Sequence, residues 1–186
     1  VAARRAAAIG ADGRYSAAEF LASPNCDQRP PGCAIELLVV HGISLPPGEF
    51  GGPAVIDLFL GRLDCDAHPY FAGLRELRVS AHFLIRRDGR CLQFVSCRHR
   101  AWHAGVSSWR GRERCNDFSV GVELEGTDDR PFEPRQYETL HTLARALRRR
   151  YRIGAAAGHC DIAPGRKTDP GPCFDWSGLR ALGYAR

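Results

Sequence analysis

Two of the seven histidines stand where a side chain can do chemistry. His41 closes an apolar run and is followed by Gly42, so its imidazole can project from the end of a buried strand into a cleft. His159 follows Gly158 and opens a turn-rich stretch, His-Cys-Asp-Ile-Ala-Pro-Gly-Arg-Lys-Thr-Asp-Pro-Gly-Pro, which returns a carboxylate at Asp169. Two imidazole nitrogens and one carboxylate oxygen would hold a zinc ion and leave its fourth tetrahedral position to water, the pattern of catalytic rather than structural zinc. The competing assignment is two unrelated histidines and a turn aspartate before Pro170. Thiolates from Cys160 and Cys173 are a weaker rival, because Cys160 adjoins His159 and neighbours in an extended segment point to opposite sides. His141 falls in a helical repeat and His99 in a basic turn, which suits structural roles, whereas His68, His82 and His103 could line a pocket.

A second chemical signal is the single lysine. Of 26 basic residues all but Lys167 are Arg, and only Lys can change its protonation state near neutral pH when desolvated. Lys167 lies between His159 and Asp169. The formal net charge of +5 is too mild to demand a nucleic-acid partner, and it suits an anionic small substrate equally well. Eight cysteines without a CxxC pair read mostly as small buried hydrophobes in a reducing compartment. The sequence shows neither the apolar run of about 7 to 15 residues of a secretory signal nor a stretch of about 20 apolar residues that would span a bilayer. No membrane partner and a cytoplasmic address are therefore expected.

These side chains need elements to position them. Ile35 to Val40 is nearly continuous aliphatic sequence and predicts a buried strand. His82 to Arg87, the Asp88-Gly89 turn and Arg90 to Val95 predict a hairpin. Ser119 to Leu124 alternates Val120, Val122 and Leu124 with Gly121 and Glu123, and with Glu125 next in register it predicts a strand carrying two carboxylates opposite its apolar face. Apolar residues at steps of three and four from Pro134 to Tyr151 predict a long helix, with Pro134 in its first turn, arginines at its end and Gly154 to close it. Shorter helices are expected over about 54–60 and 174–182, and another over Ser16 to Leu21 inside an N-terminal extension covering residues 1–33. The long Pro/Gly segment from 43 to 73 reads as a functional loop. The mixture of strands and helices gives an α/β fold in a single domain, 34–186, with a mixed central β-sheet flanked by helices.

Six blocks, in order, carry a family resemblance: Val39-Val40-His41; the loop Ile43 to Pro53; His68-Pro69-Tyr70-Phe71-Ala72-Gly73; Arg100 to Ser108, which holds Trp102-His103-Ala104-Gly105; Gly111 to Ser119 with Glu123-Leu124-Glu125-Gly126-Thr127-Asp128; and Gly158-His159 through Asp169-Pro170-Gly171-Pro172. Over about residues 35 to 180 the chain resembles the 1,6-anhydro-N-acetylmuramoyl-L-alanine amidases, the AmpD family, within the type 2 amidase and peptidoglycan-recognition group. One position departs, since Gly42 stands where the family commonly has Asn.

The resemblance implies a cytoplasmic, zinc-dependent enzyme of peptidoglycan recycling that hydrolyses the amide between the lactyl group of an anhydro-muropeptide and L-Ala. It places His41, His159 and Asp169 on the metal, Glu123 as the catalytic carboxylate and Lys167 as the catalytic lysine. The strand pattern by itself does not choose between Glu123 and Glu125. Such a substrate carries carboxylates, for which Arg78 and Arg114 are candidates, while Tyr70, His82 and Trp102 could pack on the sugar or stem peptide. The expected partner is this small muropeptide, bound by a monomer. Two rival readings remain open at this stage: a periplasmic amidase acting on intact peptidoglycan, and a peptidoglycan-binding module without catalysis.

Overall fold

Described over residues 7–186, the computed structural model begins with two short strands, β1 (Glu19–Phe20) and β2 (Cys26–Gln28), and then the seven-residue β3 (Leu37–Ile43). Helix α1 (Ala54–Phe59) and a 3-10 turn at Pro69–Leu74 occupy the long Pro/Gly segment. The expected hairpin follows as β4 (Phe83–Ile85) and β5 (Cys91–Gln93). Next come β6 (His99–Ala101), the small ribbon of β7 (Ser108–Trp109) and β8 (Arg112–Glu113), and β9 (Ser119–Glu125). The long helix α2 (Pro134–Tyr151) leads to β10 (Ala155–Gly158), the one-turn α3 (His159–Ile162) and α4 (Ser177–Ala181).

Six strands form the main sheet in the order β1-β5-β4-β9-β3-β10. β10, β3, β9 and β4 run parallel and β5 returns antiparallel, so the sheet is mixed as the sequence predicts. β3 lies between two parallel partners and is covered on both faces, which is why its sequence is a continuous apolar run rather than an alternation. On one face Leu38, Val40, Val120, Val122 and Leu124 pack against Leu140, Leu143 and Leu147 of α2. The register pairs His41 with Glu123, and both sit on the face turned away from α2. Chemistry thus collects toward the carboxyl ends of parallel strands, where open α/β sheets place their ligand sites.

Helix α2 has the predicted bounds. Its start is fixed by Gln136, whose side-chain oxygen accepts from the Glu133 N–H at 2.9 Å, and whose amide donates at 3.1 Å to the carbonyls of Ile85 and Glu125, stitching helix to sheet. Its end differs from the expectation: Arg152, not Gly154, takes the left-handed conformation at φ 56°. With the Arg152 N–H bonded to the Arg148 carbonyl at 2.8 Å, the helix is already closed two residues before the glycine.

The N-terminal stretch also departs from the sequence reading. Residues 1–6 of the expected extension lie outside the described residues. From Ile9 onward the segment is built into the fold, with Ile9 and Tyr15 buried in the α2-side core. Ser16 to Leu21 is not a helix. The buried Gln93 side chain accepts from the Tyr15 N–H at 2.8 Å and donates to the Gly13 carbonyl at 2.9 Å, and Glu19–Phe20 extend the sheet beside β5. Pairing with a distant strand outweighs a weak local helix preference. The last helix is likewise shorter than read, beginning at Ser177. All eight cysteines are free, with Cys91, Cys97 and Cys115 buried and the rest half-buried.

Candidate metal centre and active site

β3 delivers His41, and the turn from β10 into α3 delivers His159. Asp169 returns on a loop tied to that same turn, since its carbonyl accepts from the Cys160 N–H at 2.9 Å. Gly158 permits this return, because a Cβ there would lie 2.9 Å from the Pro170 ring. The outcome is a triangle of donor atoms: His41 Nδ1 and His159 Nδ1 are 3.0 Å apart, and Asp169 Oδ2 is 3.3 Å from the first and 3.2 Å from the second. Among the described residues this is the one convergence of three or more His, Cys, Asp or Glu donors. Neither Cys160 nor Cys173 joins it.

The donor set fits a metal ion by a geometric test. Ligands bound at about 2.0–2.1 Å in a tetrahedron lie about 3.3 Å from one another. The observed edges match that spacing, whereas two neutral imidazoles facing each other through the same nitrogen satisfy only one hydrogen bond between them. Two nitrogens and one carboxylate oxygen leave a fourth position open. The electrostatics suit deprotonated ligands. Burial lowers the His41 imidazole to about 4, with the Asp169 carboxylate opposing that effect. Burial by itself would raise Asp169, but its contacts with His159 and His41 outweigh it and hold the carboxyl far below the ordinary range.

Glu123 stands beside this triangle. Its Oε1 lies 4.0 Å from His41 Nδ1, and its buried Oε2 has no hydrogen-bond partner. Burial and the neighbouring Asp169 carboxylate push its carboxyl well above the usual range, with Lys167 acting in the opposite direction. Glu125 is different. It accepts from the Gly51 N–H at 2.7 Å and the Arg87 N–H at 3.3 Å and lies 3.7 Å from the Arg86 guanidinium, so it fastens the Pro/Gly loop and has no free oxygen for chemistry. Lys167 is exposed on the loop between α3 and Asp169, and its charge acts on both His41 and Glu123.

The structure also brings in a residue that the sequence reading left only as a possible pocket liner. His103 is buried with its Nδ1 2.9 Å from His41 Nε2, and its ring crosses Gly121 of β9. Gly121, inside a strand between two valines, was the available signal, since a glycine there marks a close approach by another group. Next in the chain, the Ala104 carbonyl lies 3.2 Å from His159 Nε2.

The five residues read as substrate contacts divide. His82 is fully buried and satisfied: its Nδ1 accepts from the Gly121 N–H at 3.1 Å, and its Nε2 lies 3.1 Å from both the His99 carbonyl and the Arg29 guanidinium. It supports the sheet from within and has no surface to offer a substrate. Tyr70 is half-exposed on the 3-10 turn, and Trp102 is half-buried beside His103. Arg78 is exposed and donates to the carbonyls of Arg75 and Leu77, leaving its charge without an acidic partner there. Arg114 already pairs with Asp117 at 3.1 Å. At Gly42 a Cβ would meet Phe132 and Pro170 at ordinary contact distances of 3.5 and 3.6 Å, so packing does not demand glycine there.

Comparison with known proteins places the chain in a family. The N-acetylmuramoyl-L-alanine amidase family model matches residues 31–172. The 1,6-anhydro-N-acetylmuramyl-L-alanine amidase AmpD of Citrobacter freundii is 58% identical over 173 residues, 92% of each chain. A crystal structure of a selenomethionine AmpD derivative superposes with a TM-score of 0.90 at 58% identity, covering 92% of this chain and 97% of that one. The Escherichia coli amidase AmiD, solved with the substrate anhydro-N-acetylmuramic acid-L-Ala-D-gamma-Glu-L-Lys, is 32% identical with a TM-score of 0.61, over 86% of this chain and 62% of AmiD. The chain belongs to the N-acetylmuramoyl-L-alanine amidase family, and within it to the AmpD amidases.

Proposed function

We propose that this protein hydrolyses the amide between the lactyl group of 1,6-anhydro-N-acetylmuramic acid and L-alanine, as a zinc-dependent monomer serving peptidoglycan recycling in the cytoplasm. The observation that carries the reading is the donor triangle of His41, His159 and Asp169 with the unpartnered Glu123 Oε2 beside it. The AmpD relatives, which share most of the chain, supply the substrate class.

An unactivated amide needs a strong nucleophile and stabilisation of the charge that develops on its carbonyl oxygen. Zinc held by His41, His159 and Asp169 supplies acidification of water to a pKa of about 7 and a positive charge near the reacting carbonyl. Glu123 takes a proton from the attacking water on its free Oε2 and passes it to the departing L-Ala nitrogen. Its raised affinity for protons, set by burial, suits it to this exchange. Lys167, whose charge acts on both His41 and Glu123, stabilises the tetrahedral oxyanion. Arg78 is the freer of the two candidate arginines to pair with a stem-peptide carboxylate, because Arg114 is already engaged with Asp117. His41 and Glu123 are almost wholly buried, which keeps bulk water from solvating the reacting charges.

Product analysis on two substrates tests the reading. A soluble anhydro-muropeptide should be split into stem peptide and anhydro sugar, while intact sacculi should be cleaved far more slowly. Equal or faster release from sacculi would instead support an enzyme of the intact wall. Binding of the fragment without cleavage by zinc-replete protein would support a recognition module.

A further inference from the structure

Both ligand imidazoles turn Nδ1 toward the metal position, so the remaining nitrogen of each ring must carry the proton and find an acceptor. Those acceptors belong to successive residues. His41 Nε2 lies 2.9 Å from His103 Nδ1, and His159 Nε2 lies 3.2 Å from the Ala104 carbonyl. The pair is itself held. Asn116 Oδ1 accepts from the backbone N–H groups of His103 at 3.2 Å and Ala104 at 2.9 Å. The His103 Nε2 meets Ser119 Oγ at 3.2 Å, and the ring lies so close over Gly121 that an added Cβ would be 2.5 Å from it. Arg166 donates to the carbonyls of Ala104 at 2.7 Å and Val106 at 2.6 Å, which anchors to the same segment the loop that carries Lys167.

We propose that His103 and Ala104, fixed by Asn116, are the positioning element of the metal centre. His103 accepts the Nε2 proton of His41 and the Ala104 carbonyl that of His159, so both rings present an Nδ1 lone pair to the ion before it arrives. With His41 Nδ1 kept free for the ion, the bonding pattern closes one way. A neutral imidazole has one donor and one acceptor nitrogen, so a His103 that accepts at Nδ1 donates from Nε2 to Ser119. Asn116 acts on both ligands at once through two backbone donors, although it touches neither. The inference rests on the zinc reading above, and it concerns how the chain prepares the ligands rather than the reaction.

The test is zinc affinity by competition with a chromophoric chelator, together with long-range proton–nitrogen NMR of the histidine rings in metal-free protein. His103→Leu should weaken zinc binding about 10- to 100-fold, the usual size of such an effect. His103→Asn, whose amide oxygen can take the place of Nδ1, should recover most of it. Asn116→Asp, which keeps an acceptor for both backbone donors, should bind zinc far more tightly than Asn116→Leu. In the unsubstituted metal-free protein, His41 and His159 should already be Nε2-protonated tautomers, a reading that does not depend on any variant folding. Parental zinc affinity in folded His103→Leu, or metal-free rings protonated on Nδ1, would overturn the proposal. Unsubstituted protein that bound no zinc would count against the zinc reading instead, and the tautomers would still decide this one.

Discussion

Glu123 and Glu125 sit two residues apart on one side of β9, and their surroundings give them different work. The alternation of β9 shows in the sequence that both carboxylates oppose the apolar face, but the neighbours that separate them come from residues 51, 86 and 169, far away in the chain. Glu123→Gln should lower kcat by about 10²- to 10⁴-fold, the range of a general base, with zinc content unchanged. Glu125→Gln should act mainly on stability, because its carboxylate is committed to the Pro/Gly loop and Arg86. A Glu123→Gln enzyme with near-parental kcat would remove this residue from the chemistry. Lys167→Arg keeps the charge but not the compact ammonium, so kcat should fall by about 10²-fold or more, as for loss of an oxyanion donor, again with zinc retained. Measuring metal content beside each rate separates loss of catalysis from loss of the centre. Residue type and spacing offered the three candidate ligands beside a rival assignment, and the family resemblance chose them; in the structure the three converge. His103 was not, because nothing in the sequence around it shows that its ring reaches His41.

At the scale of elements, legibility followed how local the determining forces are. The 3.6-residue repeat of α2, the aliphatic run of β3 and the alternation of β9 state their own structure, and the two strands position His41 and Glu123. β1 does not, since two residues become a strand only when β5 and the buried Gln93 side chain are beside them. His82 was misjudged for the same reason: its place at the start of the expected hairpin is visible, but its burial beside Arg29, from the N-terminal segment, is a tertiary fact. Gly121 of β9 gives a test at this level. Adding a methyl group would force the His103 ring out of place, so Gly121→Ala should cost about 1–3 kcal/mol, the range for overpacking a core, seen as a lower Tm in metal-free protein. An unchanged Tm would mean that the ring has room to move, contrary to the packing described here.

The whole molecule should record its buried histidines in the pH dependence of stability. Burial, with the Arg29 charge close by, holds His82 neutral and well below its ordinary pKa, and burial does the same for His103. These rings bind protons in the unfolded chain below about pH 6.5 but not in the folded one. The unfolded state therefore takes up more protons as pH falls, and the stability present above about pH 6.5 is lost progressively below it. In metal-free protein Tm should drop as pH is lowered from about 7 to 5, and the drop should be shallower in His82→Gln. A flat Tm across that window would contradict the assignment of neutral buried rings. Among the described residues no helix is long and apolar enough to cross a membrane.

In the proposed function a metal held by His41, His159 and Asp169 makes this chain an amidase for anhydro-muropeptides. The most direct measurement is mass analysis of the products from one defined anhydro-muropeptide with protein as isolated, after chelation to zero measured zinc, and after return of one equivalent. Release of the intact stem peptide that disappears on stripping and returns with zinc is the predicted result. Undiminished cleavage by protein verified to be metal-free, or no cleavage by protein carrying a full equivalent of zinc, would contradict it.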